Sequence, residues 1–161
     1  KNFLFLAQCL KKILKKEKNF IFLIIGEGQD RKKIEGYIER FRLSNYIILT
    51  GYKKNIFKYV SNSEGLICSS LWEEPGFIIQ EAAACKKIIL TSDCYTGPSE
   101  FLNHGKNGYV FKTNDKKSFI KNFEKLLIEK KYHKKKIYEN YKKTKFYTSN
   151  YFLSEIKKIL N

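Results

Sequence analysis

The sequence lacks most of the residues that would indicate a metal site or a disulfide-linked fold. It contains no methionine, one tryptophan, two prolines and two histidines, and its four cysteines show no metal-ligand spacing. Three of these cysteines sit in apolar runs typical of buried free thiols (the four are Cys9, Cys68, Cys85 and Cys94). We therefore expect no metal site and a reducing, cytoplasmic setting.

Long hydrophobic runs are also absent. The longest, Phe20 to Ile25, has six residues, far short of the roughly 20 that cross a bilayer. At 161 residues, 43% of them hydrophobic, the chain has room for one domain with its own core. Because it starts with Lys1 and contains no methionine, we expect residues 1–161 to be one domain cut from a longer protein.

Acidic residues are half as frequent as basic ones. There are 16 Asp and Glu against 32 Lys and Arg, giving a net charge of +16, and only three of the basic residues are arginine. Proteins that recognise a nucleic-acid sequence favour arginine for contacts with the bases, and the chain has no helix-turn-helix, RNP or zinc-finger pattern. We therefore expect no nucleic-acid partner. A lysine-rich surface is compatible with binding to anionic lipid, and hence with a peripheral position on the inner face of the cytoplasmic membrane.

The stretch Leu71-Trp72-Glu73-Glu74-Pro75-Gly76-Phe77-Ile78-Ile79-Gln80-Glu81, followed by small residues at 82–84, predicts a loop that feeds a helix. Gly76 would let a ligand approach the backbone closely, and a helix that opens at about Phe77 would direct its free N–H groups at the same place. The positive end of the helix dipole favours a phosphate there.

Two carboxylates, Glu73 and Glu81, flank this predicted phosphate site and are separated by seven residues. Carboxylates accept hydrogen bonds from sugar hydroxyls. A ligand that places a phosphate at the helix start and hydroxyl groups near each carboxylate would be a nucleoside-diphosphate sugar. The plain alternative is that both glutamates only favour the start of a helix, as acidic residues commonly do.

Apolar strand-like runs alternate with amphipathic segments along the chain. We predict strands at 19–25, 46–50, 65–69, 88–91 and 109–111, and helices at 2–15, 29–42, 56–60, from 77, from 97, 115–130, 132–145 and 149–160. The first strand is expected to be fully buried, and Asn2 to cap the first helix. The alternation predicts an α/β fold with a parallel sheet and a ligand crevice beyond the carboxyl ends of the strands.

The two glutamates, the glycine between them, the small-residue helix, the strand at 88–91 and the loop Thr96-Gly97-Pro98-Ser99-Glu100 together resemble the donor site of the retaining glycosyltransferases of family 4. The sequences at 72–77 and 92–102 are similar to the bacterial subgroup that builds surface glycans and lipid-linked oligosaccharides, often from UDP-sugars. This resemblance implies the C-terminal half of a GT-B fold: a Rossmann-like parallel sheet with helices on both faces. Its first strand and the N-terminal acceptor domain would precede Lys1, and helices at 132–161 would end it.

The resemblance also implies roles for single residues. Lys1 corresponds to the lysine that contacts the donor diphosphate, whereas its partner arginine is missing. Glu73 would be catalytic, holding the donor sugar, and Glu81 would hold the ribose. The remaining donor-binding residues would be Tyr52 at the base, with Pro75, Gly76, Phe77 and Gly97. Trp72 is expected to be a packing anchor, and the chain has Lys86-Lys87 where the family usually has glycine and proline.

The implied activity is retaining transfer of a hexosyl or N-acetylhexosaminyl group from a nucleotide-diphosphate sugar, with UDP favoured, to a glycan or lipid-linked acceptor. No cofactor is expected, and this fragment alone should bind the donor without turnover. Two alternatives stay open. One is a basic module for a membrane or polyanion, with a lipid affinity indifferent to Glu73 and Glu81. The other is a different GT-B enzyme, such as an epimerase or phosphorylase.

Overall fold

The computed structural model describes residues 1–74, 76–95 and 97–148, and, beyond these, Tyr151, Leu153, Ser154, Lys157 and Lys158. The described elements alternate between helix and strand over most of the chain. In order they are α1 (Phe3–Ile13), β1 (Phe22–Ile25), α2 (Arg31–Arg40), β2 (Ile47–Gly51), α3 (Phe57–Ser61), β3 (Gly65–Cys68), α4 (Phe77–Ala84), β4 (Ile88–Ser92), α5 (Pro98–Phe101), β5 (Tyr109–Phe111), α6 (Lys116–Ile128), α7 (Lys130–Thr144) and a short 3-10 helix (Lys145–Tyr147). No described helix is both long enough and apolar enough to cross a membrane.

All strand pairs are parallel, as the alternation predicts. The described strands form two sheets: β1 pairs with β2, and β3, β4 and β5 lie side by side in that order. β5 matches the strand predicted at 109–111, and among the described residues it pairs only with β4, so it lies at an edge. Among the described residues β1 pairs only with β2 and β3 only with β4, so each of these two strands keeps one unpaired edge.

Helices cover both faces of β4, and every residue of this strand is buried. Ile88 and Leu90 join the apolar cluster formed with α1, α2 and α6. Ile89, which points the opposite way because side chains alternate along a strand, joins a second cluster with α3, α4 and α5. Ala82 and Ala83 of α4 are fully buried in this second cluster, which lets the helix lie close to the sheet, whereas Ala84 is exposed. The predicted arrangement, with helices on both faces, is confirmed.

The prediction of a fully buried first strand is wrong. Only Ile24 of β1 is buried, whereas Leu23 is 44% exposed. Its register partner on β2, Ile48, is 41% exposed, so the two form one apolar surface on the open side of the pair. The apolar run does predict the strand, but burial on both faces also needs a covering element, and a run of sequence does not contain that information.

The prediction that Asn2 caps α1 is also wrong. Asn2 has the cap position but a left-handed φ of 56°, and its side chain caps no amide of the helix. Its Nδ2 instead lies 3.4 Å from Oδ1 of Asn114. A side-chain cap does occur at the start of α6, where the carboxylate of Asp115 accepts hydrogen bonds from the amides of Lys117 and Ser118. The predicted helix at 149–160 falls largely outside the described residues.

Lys86 ends α4 in the left-handed region, with φ of 55°, where the resembled family has glycine. The amide of Lys86 donates to the carbonyl of Ala83 and the amide of Lys87 to that of Ala82, both at 3.0 Å, which is the pattern of a Schellman C-cap. Lysine pays a steric cost there of about 1–2 kcal/mol. The turn is therefore preserved despite the unfavourable residue.

Replacing Lys86 with glycine should raise the free energy of unfolding by about 0.5–1 kcal/mol. The relief of the left-handed strain is partly offset by the loss of the Lys86 ammonium from the Tyr141 ring, 4.7 Å away. The midpoint temperature of thermal unfolding should rise by about 2 °C or more. Lys87→Gly is the matched control and should give no gain, because Lys87 is not left-handed; equal effects of the two changes would contradict this account.

Candidate functional site

The loops that follow β3 and β4 lie together at the carboxyl edge of the sheet. Trp72 and Tyr95 form an isolated parallel bridge. The Ser92 hydroxyl donates to the carbonyl of Ser70 at 2.6 Å. The two loops then lead directly into α4 and α5, so both helices begin at the same edge. This is where ligands bind in open parallel α/β sheets.

Glycines occupy the cap positions of both helices. Gly76 has φ of 76° at the start of α4, and, being glycine, it offers no side chain to cap that helix. Gly97, with φ of 90°, precedes α5, whose first residue is Pro98. A Cβ atom on Gly76 would lie 3.4 Å from Cγ of Pro98 and 3.6 Å from Cβ of Glu73. The two helix starts are thus packed closely around Gly76, and the start of α4 suits an anion.

Glu73 lies beside the start of α4 and is only 8% exposed. Its Oε1 accepts hydrogen bonds from the Lys1 ammonium and the Ser70 hydroxyl, and from the Cys68 thiol at 3.7 Å. The hydroxyl of Ser69 donates to the backbone carbonyl of Lys1 at 3.0 Å, which fixes the start of the chain here. The structure therefore brings Lys1 and Glu73 together across 72 positions of sequence.

Burial and hydrogen bonding act in opposite directions on the Glu73 carboxyl. Burial raises its pKa, but the hydrogen bonds from Lys1, Ser70 and Cys68 and the charge of Lys1 outweigh burial, so the pKa is lowered overall. Glu73 is consequently a carboxylate at neutral pH. Lys1, whose side chain is 53% exposed, pairs with that carboxylate on one side and faces solvent on the other.

Glu81 lies one turn into α4 and is partly exposed. Within the described part of the chain, no side chain forms a hydrogen bond or ion pair with its carboxylate, in contrast to Glu73. Of the other predicted donor-binding residues, Phe77 is 63% exposed at the start of α4, and Tyr52 is 75% exposed after β2. Pro75 lies outside the described residues. The structure thus places Lys1, Glu73, Gly76 and Gly97 together, with Glu81 on the same helix.

Two aromatic residues form an exposed rim that the sequence reasoning missed or misjudged. Trp72 is 72% exposed and is no packing anchor, and Tyr95 is 83% exposed. Their bridge pairs the two loops residue against residue, which is a consequence of the register of β3 and β4. The contacts of Cys68 and Ser70 with Glu73 were not predicted either, because a Cys-Ser-Ser sequence does not indicate contact with a carboxylate.

The turn after β1 connects that strand to α2, consistent with the strand predicted at 19–25 and the helix predicted at 29–42. Arg31, the first residue of α2, is held between Glu27 and Glu35 at 2.7 Å from each, so this guanidinium is already paired. In the described part of the chain, no group of three or more His, Cys, Asp or Glu side chains could hold a metal ion.

Known proteins resemble this chain over most of its length. An uncharacterized glycosyltransferase of Methanocaldococcus jannaschii is 34% identical over 61% of this chain and 24% of the relative. The poly(ribitol-phosphate) alpha-N-acetylglucosaminyltransferase of Staphylococcus aureus is 29% identical over 68% of this chain and 22% of the relative. The chain therefore spans about a quarter of the length of each of these two relatives.

Solved structures of GT-B glycosyltransferases share the fold. TarM of S. aureus, in a mutant complex with fondaparinux, alpha-GlcNAc-glycerol and UDP, superimposes with a TM-score of 0.87 at 23% identity, over 100% of this chain and 33% of TarM. The pneumococcal O-GlcNAc transferase GtfA, with UDP and GlcNAc, gives 0.86 at 21% identity, over 99% of this chain and 32% of GtfA. A sequence profile described as "Glycosyl transferases group 1" matches residues 1–144. This chain belongs to the family of group 1 glycosyl transferases.

Proposed function

We propose that this chain is the donor-binding domain of a retaining family 4 glycosyltransferase that uses a UDP-sugar. One observation carries the proposal: α4 opens at Gly76 between the two carboxylates, Glu73 and Glu81, with Lys1 in contact with Glu73. This arrangement offers helix amides and an ammonium to a diphosphate, and a carboxylate on either side of it to hydroxyl groups.

Each residue then has a distinct task. The amides at the start of α4 and the Lys1 ammonium stabilise the charge that develops on the departing diphosphate. Glu81, whose carboxylate has no partner among the described residues, accepts hydrogen bonds from the ribose. Glu73 orients the donor sugar, and its network with Ser70 and Cys68 keeps it charged and in place. The exposed Tyr52 contacts the base.

The donor and acceptor are proposed from the relatives. UDP occurs in the structures of TarM and GtfA. The S. aureus relative is named for transfer of N-acetylglucosamine. A Campylobacter jejuni relative, 24% identical, is named for transfer of N-acetylgalactosamine to a saccharide that is linked to diphospho-undecaprenol. We accordingly propose a hexosyl or N-acetylhexosaminyl donor, and a glycan or lipid-linked acceptor held by a second domain on the cytoplasmic side of a membrane.

Sugar transfer should need more of the protein than these residues. The chain covers about a third of TarM, and the unpaired edges of β1 and β3 leave room for a further parallel strand. We propose that residues before Lys1 supply this strand and the acceptor domain. The chain alone should therefore bind donor without transfer, and transfer by this polypeptide to an added lipid-diphosphate sugar would overturn this part of the proposal.

Calorimetric titration with UDP, GDP and ADP tests the function. UDP should bind with the highest affinity, and Glu81→Ala should weaken UDP binding by about tenfold or more through loss of the charged hydrogen bonds to the ribose. Glu39→Ala is the matched control, because Glu39 is an exposed helical glutamate on α2. Failure of all three nucleotides to bind, or equal losses in the two variants, would contradict the proposal.

A further inference from the structure

The outward face of α7 carries lysine at nearly every position. Seven of the fifteen residues of α7 are lysine and one is acidic. At 100° per residue, positions 131, 134, 135, 138 and 142 fall on one side of the helix, and residue 145 continues that side. All six are exposed, and together they define the lysine face: Lys131, Lys134, Lys135, Tyr138, Lys142 and Lys145.

The opposite side of α7 is anchored to the domain. Asn140 is fully buried and its Nδ2 donates to the carbonyl of Asn107 at 2.7 Å. Lys143 donates to the carbonyl of Phe101 at 2.6 Å, and Lys136 to that of Lys106 at 3.0 Å. These contacts fix the rotation of the helix, so the lysine face is held towards solvent.

The lysine face is short of acidic partners, unlike the charged surface of α2. On α2 the basic side chains Arg31 and Lys33 are paired with nearby acids. On the lysine face only Lys142 has such a partner, Glu139 at 3.5 Å. In the described part of the chain, the other four lysines of the face form no ion pair. The face therefore presents uncompensated positive charge.

Aromatic side chains lie within the lysine face and beside it. Tyr138 stands in the middle of the lysine face and is 56% exposed; the Lys142 ammonium lies 4.6 Å from its ring. Phe146, in the 3-10 helix, is 58% exposed at the C-terminal end of the face. Tyrosine with flanking lysine is the composition found at the interface of a bilayer with water, because a ring enters the headgroup region while ammonium groups meet phosphates.

We propose that the lysine face binds an anionic lipid surface. Six residues on one side of a helix and its extension span about 20 Å, so the face can meet many headgroups of a flat bilayer at once. Exposed lysines near such a surface each strengthen binding. The proposal does not depend on the proposed function, since it involves neither carboxylate of the candidate site.

RNA is the competing polyanion, and the composition disfavours it. α7 contains no arginine, the residue that makes bidentate contacts with bases and stacks on them. Lysine acts as a compact point charge that suits phosphate headgroups irrespective of their order. Binding to RNA in place of lipid is accordingly one of the outcomes that the experiment must be able to detect.

Co-sedimentation with vesicles of phosphatidylcholine containing phosphatidylglycerol tests the lysine face. The 161-residue chain should bind these vesicles, and should bind neither phosphatidylcholine alone nor the mixed vesicles at high salt. Changing Lys131, Lys134 and Lys135 together to glutamate should weaken binding roughly 100-fold or more. These residues are exposed, and glutamate is about as good a helix former as lysine, so the variant should fold; circular dichroism checks this.

The matched control changes Lys12, Lys18 and Lys32 to glutamate. These lysines are exposed on α1, after it and on α2, and their replacement alters the net charge by the same amount. Only a small loss of vesicle binding is expected. Equal losses in the two triple variants would show attraction by net charge alone and would overturn the proposal. Binding to single-stranded RNA without binding to the mixed vesicles would overturn it as well.

A second measurement reports on the face directly. Trp72 is the only tryptophan in the chain, so the double variant Trp72→Phe, Tyr138→Trp places the only indole within the lysine face. Its fluorescence should shift to the blue when phosphatidylglycerol-containing vesicles are added, because the ring enters a less polar layer. An emission spectrum unchanged under conditions where the protein co-sediments would contradict the assignment of this face.

Discussion

Replacing Gly76 with alanine should lower the affinity for UDP by about tenfold or more and the free energy of unfolding by about 1–2 kcal/mol. The left-handed φ of 76° accounts for the lower free energy of unfolding, because a Cβ atom in this conformation comes too close to the following carbonyl oxygen. The new Cβ would also lie 3.4 Å from Cγ of Pro98. That distance is an ordinary van der Waals contact, so the loss of affinity is expected from the backbone. Relief of the left-handed strain would change φ at the cap and turn the first amides of α4 away from the diphosphate.

Gly36→Ala is the matched control for this change. Gly36 lies within α2, it has no positive φ, and a Cβ there would meet no atom within 4 Å. Alanine in a helix interior is favoured over glycine by about 1 kcal/mol, so this variant should be stabilised and should bind UDP normally. Thermal unfolding and calorimetry measure both quantities. A stable Gly76→Ala variant with normal UDP affinity would show that the glycine does not organise the site.

Replacing Glu73 with alanine should weaken the binding of UDP-N-acetylglucosamine by about tenfold or more while leaving the affinity for UDP unchanged or slightly higher. The proposed contact of Glu73 is with the sugar, which UDP lacks. The Lys1 ammonium, which pairs with the buried Glu73 carboxylate and also faces solvent, would then interact with the diphosphate without a competing carboxylate. Competition titrations with UDP and the UDP-sugar measure the two affinities on the same protein.

Glu81→Ala provides the complementary result. Its proposed contact is with the ribose, which both ligands contain, so this variant should lose the same factor for UDP and for UDP-N-acetylglucosamine. Glu73→Gln separates packing from charge, because glutamine keeps the shape of the side chain and an acceptor for Ser70. A Glu73→Ala variant that loses UDP and the UDP-sugar equally would assign Glu73 to holding the structure, not the sugar.

Local sequence patterns predicted most of the secondary structure. The helix expected to open at about Phe77 begins there, because a proline-glycine pair stops the preceding chain and an apolar, alanine-rich run favours helix. The edge strand at 109–111 matches β5. The sequence also indicated Glu73, Glu81 and the glycine between them as candidate site residues, because their spacing relative to a helix start is a local property.

The errors concern how elements meet. Leu23 belongs to a typical apolar strand, yet its exposure depends on what covers the sheet. Trp72 is a large aromatic residue of the kind often found in a core, yet it lies exposed on a loop. Its bridge to Tyr95 directs that loop along the carboxyl edge of the sheet. Neither outcome follows from hydrophobicity, since roughly 55–60% of the solvent-accessible surface of a folded protein is apolar and an apolar side chain need not be buried.

The sequence by itself determined the types of element, their order and the location of the helix start at Gly76, because backbone preference and apolar periodicity act over a few residues. Only the tertiary structure decided which distant groups share the site. It places Lys1 against Glu73, Pro98 against Gly76 and the lysine face of α7 on the side opposite Asn140. Such contacts depend on strand register and on the packing of helices against the sheet, which only the folded chain defines.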